Sequence, residues 1–179
     1  MNETTSKLYD YLKTILASLE PKYSLKAIEI ADIAHRGQKR KFQDEDYINH
    51  PIRVARNALL SPCYFGSLDK ECTTKRLKII DEEISIAVCH DVFEDTKTTF
   101  EDVIGFFTPY ILKGFVALAR VQGESYFDFI MRIKETPYSL IKIWDLKDNM
   151  SDLKEGSLKD KYRLAHYILT LTKDEELSI

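Results

Sequence analysis

Apolar residues recur at helical spacing along most of the chain, and this periodicity limits what it can fold into. One series with the three- and four-residue spacing of an amphipathic helix is Leu25, Ile28, Ala31 and Ala34. Only 6 glycines and 5 prolines interrupt the 179 residues, and no stretch shows the two-residue alternation of a half-buried strand. The sequence therefore predicts an all-α fold, a bundle of about eight helices.

Helix-start residues and breaks set the bounds of the predicted helices. These cover Tyr9 to Leu19, Leu25 to a stop near Gly37, about Pro51 to Leu59, Ile84–Val92, Thr99–Phe106, Pro109–Leu118, Tyr126–Lys134, Leu140–Leu153 and, at the C-terminal end, about 159–172. A charged loop, Gln38–Asp46, and a longer loop, Pro62–Thr74, separate the early helices. Because neither repeats nor low-complexity tracts divide the chain, we expect one domain over residues 1–179.

Net charge restricts the class of ligand. A formal charge of −3 provides no general positive field for nucleic acid, so we predict no nucleic-acid partner. A small anionic ligand needs only a local group of cations. One such group is Arg36, Lys39, Arg40 and Lys41.

The cysteines and the lengths of the apolar runs bear on the cellular compartment that we expect for the protein. The three cysteines, Cys63, Cys72 and Cys89, form no C-x-x-C, which argues against a disulfide framework or a thiolate zinc site. The residues before Lys13 lack the apolar core of a signal peptide, and no apolar run approaches the ~20 residues of a membrane span. We therefore expect a cytoplasmic protein with no membrane association.

The dipeptide His90-Asp91 is the strongest candidate for chemistry. It follows the apolar run Ile86–Cys89, where an imidazole and a carboxylate are costly to bury without partners. At helical spacing Glu94 would lie beside His90, and Asp95 beside Asp91. So much negative charge in one place needs a cation to balance it. A bare His-Asp pair usually does no more than end a helix, but the two added acids favour a metal site.

Two further residues complete the candidate set. His50 precedes Pro51 at a helix entry, and Asp145 follows an apolar half-helix with Asn149 one turn further on. Taken alone, each is more typical of a cap or an amphipathic helix. Taken together, these residues predict a two-histidine, two-aspartate site made of His50, His90, Asp91 and Asp145. Mixed imidazole and carboxylate donors suit manganese, iron or zinc rather than calcium.

Four segments resemble, in order, motifs of the HD superfamily, and within it those of the hydrolase domain of RelA/SpoT-type alarmone enzymes. They are Ala34–Lys41 (family form AHxGQxRK), Tyr47–Ala55, His90–Thr96 (HDxxEDT) and Lys142–Met150 (KLADRLHNM). The resemblance extends from about Ala27 to Leu153. It implies a divalent ion, usually manganese, held by the four residues above, and a catalytic pair made of Glu94 and Asp95.

The resemblance also implies a substrate. Enzymes of this family remove the 3′-pyrophosphate of ppGpp and pppGpp, giving GDP or GTP and pyrophosphate. By this resemblance Arg40 stacks on guanine, Lys41 meets phosphate, and Asn149 binds the ribose. We expect Arg36, in the same basic group, to meet phosphate as well. Two departures from the family bear on the substrate: the Gly-Val-Thr-Lys segment is replaced at Ala117–Val121, and Ser151 stands where an arginine often follows Asn-Met.

Three other interpretations stay open at this point. The protein could be an HD phosphohydrolase for another nucleotide or a small phosphate ester, which the departures favour. It could lack activity and be a nucleotide-binding regulator or an antitoxin-like partner that only sequesters. The four metal-site residues could also be unconnected, in which case no two of them would come within the reach of one ion. Whether the chain forms a homo-oligomer is equally open.

Overall fold

The computed structural model describes residues 21–61 and 73–171, together with Asp10 and Thr14. Within these ranges there are nine helices, of which α4 and α5 are single turns. In chain order they are α1 Ser24–Ala34, α2 Asn49–Leu59, α3 Thr73–Val88, α4 Val92–Asp95, α5 Phe100–Val103, α6 Pro109–Leu118, α7 Tyr126–Lys134, α8 Ser139–Asp152 and α9 Ser157–Thr170. The same ranges contain no strand beyond an isolated bridge between Lys39 and Asp46. The all-α prediction is confirmed.

Helix bounds agree best with the sequence where a cap marks the start. Helices α6 and α7 have the predicted bounds, because the side chains of Thr108 and Ser125 cap them by accepting backbone N–H bonds one turn on. The C-terminal helix α9 begins at Ser157, two residues before the predicted start. Helix α5 is shorter than the predicted Thr99–Phe106, with Thr99 as its N-cap in a capping box.

The helix predicted at Ile84–Val92 is wrong at both ends. Helix α3 begins at Thr73, which also shortens the predicted loop Pro62–Thr74, and it ends at Val88. A turn over residues 89–91 then leads into α4. The first half of α3 is rich in charged residues, so the short apolar run marked only its second half. His90 and Asp91 consequently lie in a turn between two helices.

Several predictions lie outside the described residues. These are the first helix (Tyr9 to Leu19) apart from Asp10 and Thr14, residues 62–72 of the long loop with Cys63 and Cys72, and the predicted helix end at residue 172. Cys89 is a free, buried thiol, as expected, and burial raises its pKa.

Helix α3 lies at the centre of the packing. It contacts α1, α2 and α6, while α8 packs against α2, α7 and α9. Helix α6 approaches α3 closely at Gly114, because a Cβ atom there would lie 2.5 Å from Cδ1 of Ile86, which is fully buried. None of the described helices combines the length and apolarity that crossing a membrane requires.

Asp81 of α3 holds the start of α1. Its carboxylate accepts the backbone N–H groups of Lys22, Tyr23 and Ser24 at 2.8–2.9 Å, and the Ser24 hydroxyl at 2.6 Å. These N–H groups lie at the entry to α1, where no intrahelical acceptor exists. The contact fixes α1 against the helix that leads to His90.

Candidate functional site

Four predicted residues lie together where α2, the α3–α4 turn and α8 meet. One potential ligand atom from each of His50, His90, Asp91 and Asp145 lies within 4.8 Å of the others. Nε2 of His50 is 3.3 Å from Asp91 Oδ2 and 3.1 Å from Asp145 Oδ1. Nε2 of His90 is 3.2 and 3.4 Å from the same two oxygens. The interpretation in which these residues are unconnected is therefore wrong.

The two imidazoles have the orientation that a metal site requires. Nδ1 of His90 lies 2.8 Å from the carbonyl oxygen of Ala87, and Nδ1 of His50 lies 2.7 Å from Oδ2 of Asp148. Each contact fixes the proton on Nδ1, because a carbonyl or a carboxylate only accepts. The Nε2 atoms of both rings are buried and have no hydrogen-bond partner. Two buried imidazole nitrogens that face two carboxylates fit a divalent cation, which would take the place of a proton on each ring.

The electrostatics of the cluster support the same conclusion. Burial lowers the pKa of His50, but the carboxylates of Asp145, Asp148 and Asp91 outweigh it and raise that pKa to about 9. Burial raises the pKa of Asp145, but Lys142 and the two histidines outweigh it and hold that pKa well below the usual range. The cluster therefore concentrates carboxylate charge that needs a cation, either protons on the histidines or a metal ion.

Three aspartates of α8, at spacings of three and four residues, form what we call the α8 acidic face: Asp145, Asp148 and Asp152. Each has a cation from a different place. Lys142 donates to Asp145 at 2.6 Å, Arg53 of α2 to Asp148 at 2.7 Å, and Arg40 to Asp152 at 2.6 Å. Of these three acids and their three cations, only Asp145 and Arg40 had predicted roles in the site. The i, i+3, i+7 spacing of the three acids was the available signal for the rest.

Tyr47 links the metal cluster to the predicted catalytic pair. Its hydroxyl lies 2.7 Å from Asp91 Oδ2 and 3.0 Å from Asp95 Oδ2, and its ring packs on that of His35 with centroids 4.8 Å apart. Burial and then the charge of Asp91 raise the pKa of Tyr47, so the hydroxyl keeps its proton. Tyr47 was not predicted to have a role of its own, because only the fold brings it to Asp91.

The two acids of the predicted catalytic pair point to different partners. Both are exposed. Asp95 meets the Tyr47 hydroxyl, whereas Oε1 of Glu94 accepts a 2.6 Å hydrogen bond from the backbone N–H of Arg120, in the segment after α6. Asp95 is thus joined to the metal cluster through the Tyr47 side chain. Glu94 is instead bonded to a backbone amide that is not part of the cluster.

A cavity of about 610 Å³ opens beside the metal cluster. Predicted residues among those that line it are Arg40, Lys41, Asp95 and Asn149. Asn149 joins the cavity to the cluster, since it donates to Asp145 Oδ1 at 2.6 Å and accepts from Arg40 at 3.1 Å. Arg36 is not among the lining residues; it is exposed and lies 3.7 Å from Asp32.

Comparisons with known proteins show which family the chain belongs to. No family model matches the chain. The chain is 31% identical over 143 residues to the guanosine-3′,5′-bis(diphosphate) 3′-pyrophosphohydrolase MESH1 of Drosophila melanogaster, a match that covers 72% of this chain and 68% of that protein. The chain belongs to the SpoT/MESH1 hydrolase family. The MESH1 protein of Danio rerio gives a similar match, 30% identical over 141 residues.

Larger members of the SpoT/MESH1 family match over only part of their length. The bifunctional (p)ppGpp synthase/hydrolase SpoT of Escherichia coli K12 is 28% identical over 173 residues, which covers 87% of this chain but 22% of SpoT. Among solved structures, a metazoan ortholog of SpoT superposes with a TM-score of 0.61 at 23% identity, covering 82% of this chain and 83% of that one. This superposition shows that the all-helical fold is shared.

Proposed function

We propose that this protein is a metal-dependent hydrolase that removes the 3′-pyrophosphate of guanosine 3′,5′-bis(diphosphate), giving GDP and pyrophosphate. The observation that carries the proposal is the placement of His50, His90, Asp91 and Asp145 within 4.8 Å of one another, beside a cavity of about 610 Å³. The relatives named for this reaction support the choice of substrate.

We propose manganese as the ion that the four residues hold. Two imidazole nitrogens and two carboxylates make a mixed donor set of intermediate softness. When bound, such an ion acts as a Lewis acid towards a phosphoryl oxygen and lowers the pKa of a coordinated water. The chain itself orients the imidazoles through Asp148 and the Ala87 carbonyl.

The remaining predicted residues have separate tasks in this reaction. A water oxygen bonds to the phosphorus next to the 3′-oxygen, the bond between that phosphorus and the 3′-oxygen breaks, and the 3′-oxygen regains a proton. Glu94 and Asp95 take the proton that the water loses. Arg40 stacks on the base, Lys41 and Arg36 meet phosphate groups, and Asn149 bonds to the ribose. Of these, Arg36 and Glu94 are not among the residues that line the cavity.

One observation favours a second candidate, hydrolysis of another nucleotide or a small phosphate ester. Asp152 lines the same cavity and compensates the charge of Arg40, with Arg40 Nε and Nη2 at 2.9 and 2.6 Å from one of its oxygens. A carboxylate in this place lowers the attraction of the cavity for a ligand with four phosphates. A less highly charged nucleotide would suit it better.

The test is to incubate purified, manganese-loaded protein with ppGpp and to follow GDP and pyrophosphate. The Asp91→Asn variant serves as the blank, because it removes one ligand charge and keeps the side-chain volume. Release by the wild type that disappears in the variant supports the first function. If the metal binds but no pyrophosphate appears, a panel of nucleoside mono- and diphosphates tests the second.

A further inference from the structure

The segment between α6 and α7 is a compact turn built around Glu124. Oε2 of Glu124 accepts the Val121 N–H at 3.1 Å, and the backbone N–H of Glu124 donates to the Val121 carbonyl at 3.0 Å. Gly123 makes the turn possible, because its φ of +83° is one that L side chains rarely adopt. The Arg120 side chain adds a bond from Nη2 to the Glu124 carbonyl at 2.9 Å.

Arg132 of α7 fastens this turn at both ends. Its Nε and Nη2 bond to the two carboxylate oxygens of Glu124 at 2.7 and 2.9 Å. Its Nη1 donates to the carbonyl of Ala117 at 2.7 Å, and Nη2 also donates to that of Ala119 at 3.1 Å. These carbonyls belong to the end of α6, which lacks intrahelical donors. One guanidinium therefore joins the end of α6 to the carboxylate at the centre of the turn.

This turn also fixes the position of the Glu94 carboxylate. The backbone N–H of Arg120 lies between the two carbonyls and the carboxylate that Arg132 binds, and it donates to Glu94 Oε1 at 2.6 Å. An exposed glutamate has many rotamers, and a fixed donor selects one of them. The direction of the Glu94 carboxylate therefore depends on where the turn sits.

We propose that Arg132 is a positioning residue for Glu94, acting through the turn at residues 119–124 and the Arg120 amide. The proposal rests on the proposed function, in which Glu94 takes a proton from water. Arg132 itself lies on α7 and is not among the residues that line the cavity. A small displacement of a catalytic group costs rate without costing substrate affinity.

The role requires the forked shape of a guanidinium. Arg132 makes four bonds in fixed directions, and a lysine ammonium cannot reproduce a bidentate contact with Glu124 while also reaching two carbonyls. Hydrogen bonding to Arg132 lowers the pKa of Glu124 to about 2, so this contact persists throughout the neutral range.

The experiment compares Arg132→Lys in two backgrounds, wild type and Glu94→Asp. The shorter aspartate keeps a carboxylate but withdraws it from the Arg120 amide. In the wild-type background we expect kcat for ppGpp hydrolysis to fall roughly 10- to 100-fold, with little change in KM or in manganese affinity. In the Glu94→Asp background the same substitution is expected to cost less than about twofold, because the contact is already lost.

Matched variants separate positioning from damage to the fold. Glu124→Gln removes the charge and one of the two acceptor oxygens of the same contact, and is also expected to lower kcat with little change in KM. Arg163→Lys is the control, because Arg163 also pairs with two carboxylates but lies exposed on α9. If Arg132→Lys costs the same factor in both backgrounds, its effect does not pass through Glu94 and the proposal is overturned.

A second readout requires no activity. Hydrogen exchange of the Arg120 amide, followed by NMR, is expected to speed up in Glu94→Ala and in Arg132→Lys. If the wild type hydrolyses no guanosine polyphosphate, the proposed function fails, while this exchange rate still decides the link between Arg132 and Glu94. An Arg120 amide that exchanges at the wild-type rate in Arg132→Lys would overturn the link.

Discussion

Replacing Asp148 by asparagine removes one negative charge from the support of the metal site and leaves all four proposed ligands in place. Asp148 Oδ2 lies 2.7 Å from Nδ1 of His50, and both side chains are almost entirely buried. The asparagine has the same size and retains an oxygen that accepts the Nδ1 proton. The substitution therefore tests the charge of Asp148 and preserves the direction of the His50 ring.

The expected effect on metal affinity follows from the role of a carboxylate that bonds to a metal-binding histidine. A buried carboxylate bonded to a ligating imidazole makes the ligand more basic, and its loss typically weakens metal binding 10- to 100-fold. This factor corresponds to about 1.4–2.7 kcal/mol of binding free energy. Arg53, which also bonds to Asp148, keeps its contact with Glu45 at 2.6 Å, so the variant does not leave that arginine without a partner.

Isothermal titration of the ion-free protein with Mn²⁺ measures the effect. Asp160→Asn is a suitable control, since Asp160 pairs with Arg163 on the exposed side of α9. Urea unfolding of both ion-free variants checks that the fold is retained. A folded Asp148→Asn protein that binds Mn²⁺ as tightly as the wild type would refute the reasoning, because His50 would then not depend on the carboxylate behind it.

Four further predictions concern the metal cluster, the start of α1 and the contact between α3 and α6. Since the pKa of His50 is raised to about 9 in the ion-free protein, Mn²⁺ must displace a proton at neutral pH; affinity should rise as pH increases towards 9, and the binding heat should vary with the ionisation enthalpy of the buffer. The raised pKa also stabilises the ion-free fold below about pH 6.5, and this contribution is lost as the pH rises through about 9, which urea unfolding at several pH values can check. Asp81→Ala leaves the N–H groups at the start of α1 without their acceptor and should cost roughly 1–3 kcal/mol in urea unfolding. Gly114→Ala should cost roughly 1–3 kcal/mol by overpacking, and Ile86→Val should recover part of it by removing the nearest methyl group; no recovery would contradict the close approach at this point.

Much of the fold follows from local signals in the sequence. Helices α6 and α7 were predictable to the residue because Thr108 and Ser125 cap them and the apolar spacing continues to their ends. The break at residues 89–91 was not predictable, because the apolar run there includes neither glycine nor proline.

The site was predictable only in part. The four proposed ligands could be named from residue type, spacing and family resemblance. Their supports could not, since they come from distant parts of the chain: His50 and Asp148 are 98 residues apart, and Arg40 and Asp152 are 112 apart. Side chains such as Tyr47 and Arg132 could not be recognised from the local sequence, because their role depends on which carboxylate the fold places beside them.

The α8 acidic face has a consequence for how the bundle assembles. Apolar surfaces tolerate a small slide of one helix along another, because one buried methyl group can replace a neighbouring one. Asp145, Asp148 and Asp152 do not, since each meets a partner of fixed shape on another segment and an offset of one residue would leave several buried charges unpaired. We therefore expect α8 to dock in a single alignment, chosen by the same carboxylates that build the site. Substitutions of these aspartates that change the chemistry of the site would then also make the docking of α8 less specific. Variants selected for a new substrate should therefore need compensating changes in α2 or in the segment that carries Arg40.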